Sequence, residues 1–180
     1  MTGDRVPGDA TAGQAALPFD PIAAARDNWA AHGWRAPDLM AAATSVVRIH
    51  QLLLRRCDDA LRDLDLTFAR YEVLVLLTFS RTGQLPMGKV GERLQVSPAS
   101  VTNAIDRLEG SGFVERREHP SDGRAVLAAI TPAGRTVVDR ATAALTSIDF
   151  GLDGLDDERA RAVFDLLRPV RATAGDFPAP

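Results

Sequence analysis

Five polar residues cluster in a short stretch near the middle of this 180-residue sequence. They are Ser97, Ser100, Thr102, Asn103 and Arg107, and a helix would place Ser100, Asn103 and Arg107 on one face. Such side chains hydrogen-bond phosphate oxygens and base edges, since Asn can pair with adenine in a bidentate manner and a Thr methyl group can touch thymine. These residue types therefore favour recognition of double-stranded DNA.

A second polar group surrounds a tight Asp-Gly turn between two short runs with strand character, which is a hairpin signal. Arg124 would project from the tip, where an arginine can enter a narrow minor groove with its negative potential. Asp122 can hold an arginine in place through a charged hydrogen bond, and Ser121 completes the predicted DNA contacts. The hairpin and the first cluster are predicted to act together.

The elements that must position these residues are a pair of helices and the hairpin. Residues 86–94 predict a short helix, which only two residues separate from Ser97. Ser97 is a good N-cap and Pro98 suits the first helical position, so a second helix is predicted over residues 98–111. Two short helices joined by so tight a turn form a helix-turn-helix, and a following hairpin makes it a winged helix.

Periodicity and capping residues predict the rest of the chain. Further helices are expected at residues 22–32, 38–62, 68–80, 132–149 and 157–168, the last four capped by Asp38, Thr67, Thr131 and Asp156. Residues 83–86 are interpreted as a loop, and residues 113–118 and 125–130 as the two strands. In the last helix, Ala160, Val163, Phe164 and Leu167 are expected to face inward, and Pro169 to limit the helix.

The wing carries a resemblance to a known family. Asp122-Gly123-Arg124 is followed after five residues by Ile130-Thr131, then by Pro132-Ala133-Gly134. This resembles the D-x-R-x5-[LI]-T pattern and the T-x-x-G helix opening of the MarR family of bacterial transcription regulators. Residues 101–109 are similar to the family's recognition helix, with Asn103 where Arg is usual. The resemblance covers residues 38–169. From it we predict a homodimeric, ligand-responsive transcription regulator, a repressor, that binds a pseudo-palindromic operator.

The predicted fold class is mainly α (α+β), a winged helix-turn-helix with N- and C-terminal helices that form a dimerisation layer. We expect a disordered tail at 1–17, N-terminal dimerisation helices at 18–62, the DNA-binding domain at 63–131, C-terminal dimerisation helices at 132–172 and a tail at 173–180. The first long helix would span about 36 Å, so a second subunit is expected to cover part of it.

Composition limits the other function classes. The three histidines are dispersed and there is one cysteine, so we predict no metal site, no cofactor and no enzymatic activity. No apolar run is long enough for a membrane span and no signal peptide is apparent, so a cytoplasmic protein is expected. The net charge is −3, and residues 86–131 carry six basic against six acidic side chains. Binding to DNA must therefore depend on where the arginines lie.

A small-molecule effector is implied by the resemblance, because many relatives bind small aromatic anions beside the winged helix. A urate-responsive subgroup of the family binds its ligand through a Trp of an extra N-terminal helix, an acid of the second helix and an Arg of the recognition helix. Trp29, Glu72 and Arg107 of this chain could match those positions, with Glu72 where Asp is expected. His50 and Arg70 are further candidates. In the alternative interpretation Trp29 packs onto a core or partner, His50 is satisfied or partly buried, and the turn with Arg70 and Glu72 is solvated.

Two further alternatives concern Cys57 and the wing. Cys57 is expected to be a buried inert thiol rather than a redox sensor, since no basic residue lies one helical turn away. The winged helix as a whole has a rival interpretation, a protein–protein interaction module without sequence-specific DNA binding.

Overall fold

The computed structural model describes residues 17–120 and 122–178, and for residues 122–124 it describes the backbone only. Most of the predicted disordered tail at residues 1–17 therefore lies outside the described residues, as do Ser121 and the last two residues. The chain divides into two compact units, Met1–His50 and Gln51–Pro180.

The described residues include seven α-helices and three β-strands, which confirms the predicted mainly α class. The helices are α1 (Pro21–Ala31), α2 (Pro37–Leu61), α3 (Phe68–Phe79), α4 (Met87–Leu94), α5 (Pro98–Gly110), α6 (Pro132–Thr146) and α7 (Asp157–Thr173). The strands are β1 (Gln84–Pro86), β2 (Val114–His119) and β3 (Asp122–Ile130). In the described part of the chain, no helix is both long and apolar enough to cross a membrane.

Side-chain caps explain where most helices begin. Thr67, Ser97, Thr131 and Asp156 each accept a hydrogen bond from a first-turn backbone N–H, at 2.8–3.4 Å. The prediction for Asp38 is wrong, because α2 begins at Pro37 and Asp38 lies in its first turn. A carboxylate there still favours the helix, since it faces the positive end of the helix dipole.

The small sheet contains one strand more than the sequence predicts. All pairings are antiparallel in the order β1-β3-β2, so β3 is central. Residues 83–86, predicted as a loop, include β1, which pairs Gln84 with Ala129 and Pro86 with Leu127. Three residues ending in proline carry no strand signal of their own, and the free edge of β3 supplies their partners.

The core of the second unit lies where α3, α5 and α6 meet the sheet. Its fully buried side chains include Leu74, Leu77, Ile105, Leu108 and Leu145. The prediction that α3 is the central buried helix holds for most of its length, although Phe79 at its end is 82% exposed. This core positions α5 and the wing with respect to each other.

The junction between the wing and α6 depends on Thr131 and Gly134. The Thr131 hydroxyl donates to the Gly112 carbonyl at 2.7 Å while it accepts from the Gly134 N–H at 3.0 Å. A Cβ atom on Gly134 would lie 2.2 Å from the Phe113 carbonyl oxygen and 2.8 Å from Ile130 Cγ1. The glycine therefore permits the close approach of α6 to the base of the wing.

The C-terminal part departs from the prediction in two ways. Helix α6 ends at Thr146 rather than at residue 149, and Asp149 and Phe150 then adopt left-handed conformations with φ of 48° and 53°. Helix α7 continues through Pro169 to Thr173. Proline removes one backbone hydrogen bond, and an exposed helix can hydrate the carbonyl that is left unpaired.

The predicted inward face of α7 is not buried in the single chain. Helix α7 is described along its whole length, and none of its residues is buried. Val163, Phe164 and Leu167 are 39%, 57% and 37% exposed, and Ala160 is also exposed, so the prediction that they face inward is wrong for one chain. The pattern correctly indicates an apolar face, but no other element of the described chain covers it.

The apolar stripe of α2 is buried only at its C-terminal end. Cys57 and Leu61 are fully buried, and the thiol of Cys57 donates to the Phe150 carbonyl at 3.5 Å. Burial raises the pKa of the Cys57 thiol, and the neighbouring Asp58 raises it further, as expected for an inert cysteine. Within the first unit Val46 is 46% exposed and His50 is exposed, so the prediction of a partly buried His50 is wrong.

Candidate nucleic-acid interface

A tight turn sets α5 against α4. Gln95 ends α4 in a left-handed conformation, with φ of 55°, and the Val96 N–H donates to the Gly91 carbonyl at 3.1 Å. A Cβ atom on Gly91 would lie 3.2 Å from Val101 Cγ2, so the two helices approach closely at this point. This is the helix-turn-helix that the sequence predicts, with α5 as the second helix.

The predicted contact residues of α5 divide between two sides of the helix. Ser100, Asn103 and Arg107 line a cleft between α5 and the start of α3, whereas Thr102 lines a different cleft beside β3. All four side chains are exposed. The spacing therefore places three of the predicted residues together and separates the fourth from them.

Hydrogen bonds within the chain limit the contacts that the serine and threonine hydroxyl groups of this surface can make with another molecule. Ser97 Oγ lies 2.9 Å from Ser100 Oγ and accepts from the Ser100 N–H, and Thr102 Oγ1 donates to the Pro98 carbonyl at 3.0 Å. The Thr102 proton is thus engaged, and its methyl group is what it can present to a base. Asn103 and Arg107 make no side-chain hydrogen bond or ion pair with the rest of the described chain.

Internal ion pairs neutralise several of the balanced basic and acidic side chains between residues 86 and 131. Lys89 pairs with Glu92 at 2.7 Å, which lowers the pKa of that carboxyl, and Arg117 pairs with Glu115. Arg116 pairs with two acids, Asp106 and Glu109. Three of the six cations between residues 86 and 131 are therefore neutralised internally.

Arg93 and Arg107 form no ion pair with any described residue, so their charge remains available to an external anion. Sequence counting gave the correct totals but could not show which cations are engaged. The engagement of Arg116 is the feature that sequence reasoning missed, because its partners lie seven and ten residues away on another element.

The wing is described only in part. The backbones of Asp122 and Arg124 belong to β3, and Asp122 pairs with His119 next to a register irregularity between Glu118 and His119. The side chains of Asp122 and Arg124 lie outside the described residues, as does Ser121. The hairpin prediction is confirmed, and the predicted contacts of these three residues stay predictions.

The candidate effector residues fall in different places. Arg70 is half-buried and lines a cleft of about 640 Å³ together with Asp65, Thr67, Ser100, Asn103 and Arg107. Glu72 occupies an exposed position on α3, where neighbouring groups still desolvate its carboxyl enough to raise its pKa. His50 ends the first unit. The structure thus joins one predicted effector residue to three predicted DNA-contact residues.

Trp29 belongs to the first unit, where it forms a small aromatic cluster. Its indole N–H donates to the Arg35 carbonyl at 3.0 Å, and its ring meets that of Trp34 edge-on at 4.8 Å. Trp34 is 57% exposed. The local partners account for the position of Trp29, and its predicted role with an effector stays a prediction.

A second cleft, of about 420 Å³, lies between α4, α5 and β3. Its lining is mostly apolar and includes Met87, Val96, Val101 and Val126. The described residues hold no group of three or more His, Cys, Asp or Glu side chains placed to bind a metal ion.

These elements define a winged helix-turn-helix protein, and comparison with known proteins identifies its family. Residues 68–126 match the model of the MarR family. The structure is similar to that of Sco5413, a MarR family transcriptional regulator from Streptomyces coelicolor, with 52% identity and a TM-score of 0.72 over 79% of this chain and 99% of that one. The chain therefore belongs to the MarR family.

Other relatives agree with this assignment. Sco3205, another MarR family regulator from Streptomyces coelicolor, was solved in complex with DNA and shares 26% identity at a TM-score of 0.71 over 78% of this chain and 89% of that one. An HTH-type transcriptional regulator of Mycobacterium tuberculosis is 36% identical over 39% of this chain. The chain spans about half the length of these curated relatives. The family consists of transcription regulators, in agreement with the prediction that the chain is not an enzyme.

Proposed function

We propose that this protein is a cytoplasmic transcriptional repressor that binds a pseudo-palindromic operator as a homodimer and is released by a small anionic effector. The observation that carries the proposal is the exposed face of α5, on which Asn103 and Arg107 have no partner among the described residues. An unpaired amide and guanidinium on the second helix of a helix-turn-helix suit base and phosphate contacts.

Further contacts at the start of α5 and on the wing complete the proposed interface. Ser97, Ser100 and Thr102 would contribute hydrogen bonds or a methyl contact at its N-terminal end, and Arg124 would reach the adjacent minor groove from the wing. Asp122 would orient an arginine, and Ser121 would contact the backbone. Two such surfaces in a dimer would enter successive major grooves about 34 Å apart.

Exposed apolar faces support the homodimer. Phe164, Leu166 and Val170 of α7 are 57%, 74% and 64% exposed, and Leu39 of the first unit is 74% exposed. Apolar patches of this extent on a soluble chain mark interaction surfaces. The same faces on a second copy would be buried by an isologous interface.

The cleft between α3 and α5 supports the effector. Arg70 and Arg107 both line this cleft of about 640 Å³, and two arginines in one cleft suit a small carboxylate ligand. An anion bound there would occupy Arg107 and so remove a DNA contact. Trp29, His50 and Glu72 remain candidates for contacts to a larger ligand.

The function is tested by fluorescence anisotropy with DNA from upstream of the protein's own gene, at about 50–100 mM salt. Arg107→Gln is expected to weaken binding and flatten the salt dependence by about one unit per lost phosphate contact in each subunit. Asn103→Ala is expected to relax the preference at one base position and to leave the salt dependence unchanged. Arg140→Gln, an equal charge loss on α6, is the control and should bind as the wild type does.

Failure of the wild type to bind any such DNA would favour the protein-interaction module instead. The effector is sought by a thermal-shift screen of small carboxylates, since a ligand that binds the folded state raises the melting temperature. The shift is expected to disappear in Arg70→Gln.

A further inference from the structure

We propose that Arg116 is a positioning residue, which fixes the wing against the recognition helix α5 and does not itself contact DNA. This inference rests on the proposed function, since it concerns how the two DNA-binding elements are held in register. It follows from the contacts that the Arg116 side chain and backbone make across the gap between β2 and α5.

Arg116 joins the two elements at three points. Its guanidinium group bonds the carboxylates of Asp106 and Glu109, one through each terminal nitrogen. Its backbone N–H donates to Glu109 Oε1 at 3.2 Å. The side chain is 28% exposed, less than any other arginine in the ion pairs of the described chain, and both acids hold the pKa of Arg116 above its ordinary value.

The arrangement differs from the usual surface ion pair. An isolated exposed pair contributes little, because two long side chains must be held in one geometry. Here Asp106 and Glu109 are three residues apart on one face of α5, so a planar guanidinium bridges them without further ordering of the backbone. The Glu109 carboxylate also binds the strand directly, which fixes the position of β2 as well as that of the side chain.

Two consequences follow for DNA binding. The geometry of three contacts sets the distance between the groove-facing side of α5 and the wing that carries Arg124. The bridge also neutralises part of the negative charge of two carboxylates on the recognition helix, which would otherwise repel phosphates. Arg116 thus acts on DNA through Asp106 and Glu109.

The test is whether operator binding weakens or tightens when Asp106 and Glu109 are both replaced by neutral amides. If Arg116 acts by positioning, Asp106→Asn/Glu109→Gln should weaken operator binding about tenfold, as coupled networks do, although it removes negative charge from the surface. If Arg116 instead contacts a phosphate, the same variant should tighten binding, because it frees a cation and removes two repulsive charges. Tighter binding would overturn the proposal.

Further variants separate positioning from charge. Arg116→Gln should weaken binding by a similar factor with an unchanged salt slope, and the triple variant should be no weaker than Arg116→Gln alone. Arg116→Lys keeps the charge but cannot bridge both acids, so it should also bind weakly. A salt slope flattened to the extent seen in Arg107→Gln, or full activity in Arg116→Lys, would contradict the proposal.

A measurement without DNA tests the bridge independently of the proposed function. Hydrogen exchange at the Arg116 amide should accelerate in Glu109→Gln, because a neutral amide accepts that N–H less strongly than a carboxylate. Unchanged protection would show that Glu109 does not hold β2. If the wild type binds no DNA at all, the proposed function fails while this exchange result still decides the bridge.

Discussion

The winged-helix part of the second unit and helix α7 use similar proportions of apolar residues with opposite results. In the winged helix, Leu74, Ile105 and Leu108 are completely buried. In α7, Phe164, Leu166 and Val170 are 57%, 74% and 64% exposed. The first region buries most of its large apolar side chains within one chain, with Phe79 as an exception, whereas the second leaves its own exposed.

The difference lies in what each region has to pack against. Helix α5 meets α3, α4 and β2 within a short stretch of chain, so its apolar face finds partners by local connection. Helix α7 follows a left-handed turn at Asp149 and Phe150 and has no buried residue along its described length. This exposed apolar face, which no other described element buries, is the observation behind the proposed dimer.

The largest expected effect is on the free energy of unfolding, when a leucine is truncated to alanine in the winged helix and, for comparison, in α7. Leu74→Ala should lower the free energy of unfolding by about 2–5 kcal/mol, since it leaves a cavity in the core. Leu166→Ala should change it by under about 0.5 kcal/mol in the dissociated chain, because the side chain is exposed there. Urea unfolding at high and low protein concentration measures both. If both variants lost the same free energy of unfolding at low protein concentration, the contrast between a buried winged helix and an exposed α7 would be wrong.

A glycine pair tests the close packing of the winged helix. Gly134→Ala should destabilise the protein by about 1–3 kcal/mol, because the added methyl group would meet the Phe113 carbonyl and Ile130. Gly88→Ala on α4, where a Cβ atom has nothing within 4 Å, is the matched control and should stabilise slightly. Thermal melting compares the two, and a stable Gly134→Ala would contradict the packing described at this junction.

The third prediction concerns the oligomer. Phe164→Glu should weaken the proposed dimer by about 1–2 kcal/mol or more, since a charge would have to be buried at the interface. Light scattering at micromolar concentration should show a dimer for the wild type and a shift toward monomer for the variant. Arg161→Gln on the same helix is the control and should remain dimeric. A monomeric wild type would contradict the proposal that a second copy of the chain covers the apolar face of α7.

The smallest effect is the pH dependence of stability at Glu72, for which a first-turn glutamate of α7 serves as a comparison at neutral pH. Desolvation raises the pKa of Glu72 in the folded protein, so its charged form opposes folding as the pH rises above the carboxyl's ordinary range. Glu72→Gln should therefore stabilise by under about 0.5 kcal/mol at neutral pH and by nothing in acid. Glu158→Gln should instead destabilise slightly at neutral pH, since Glu158 lies in the first turn of α7. Melting temperatures at the two pH values decide this, and a pH-independent Glu72→Gln would refute the desolvation.

Sequence alone determined the features that depend on neighbours a few residues away. Thr67, Ser97, Thr131 and Asp156 cap their helices because each side chain reaches an N–H group within three residues. The turn between α4 and α5 and the hairpin of the wing were predictable for the same reason. Their signals are local hydrogen bonds and backbone preferences, which the order of residues specifies directly.

Tertiary structure alone decided the features that depend on partners far along the chain. Strand β1 forms because β3 offers it an edge, and Gly134 is required because Phe113 passes close to it. The sequence contains six cations between residues 86 and 131, but only the fold pairs Arg116 with Asp106 and Glu109, while Arg107 has no ion pair with a described residue. Whether a charge faces an acid or the solvent is set by the packing of separate elements, and periodicity within one element carries no information about it.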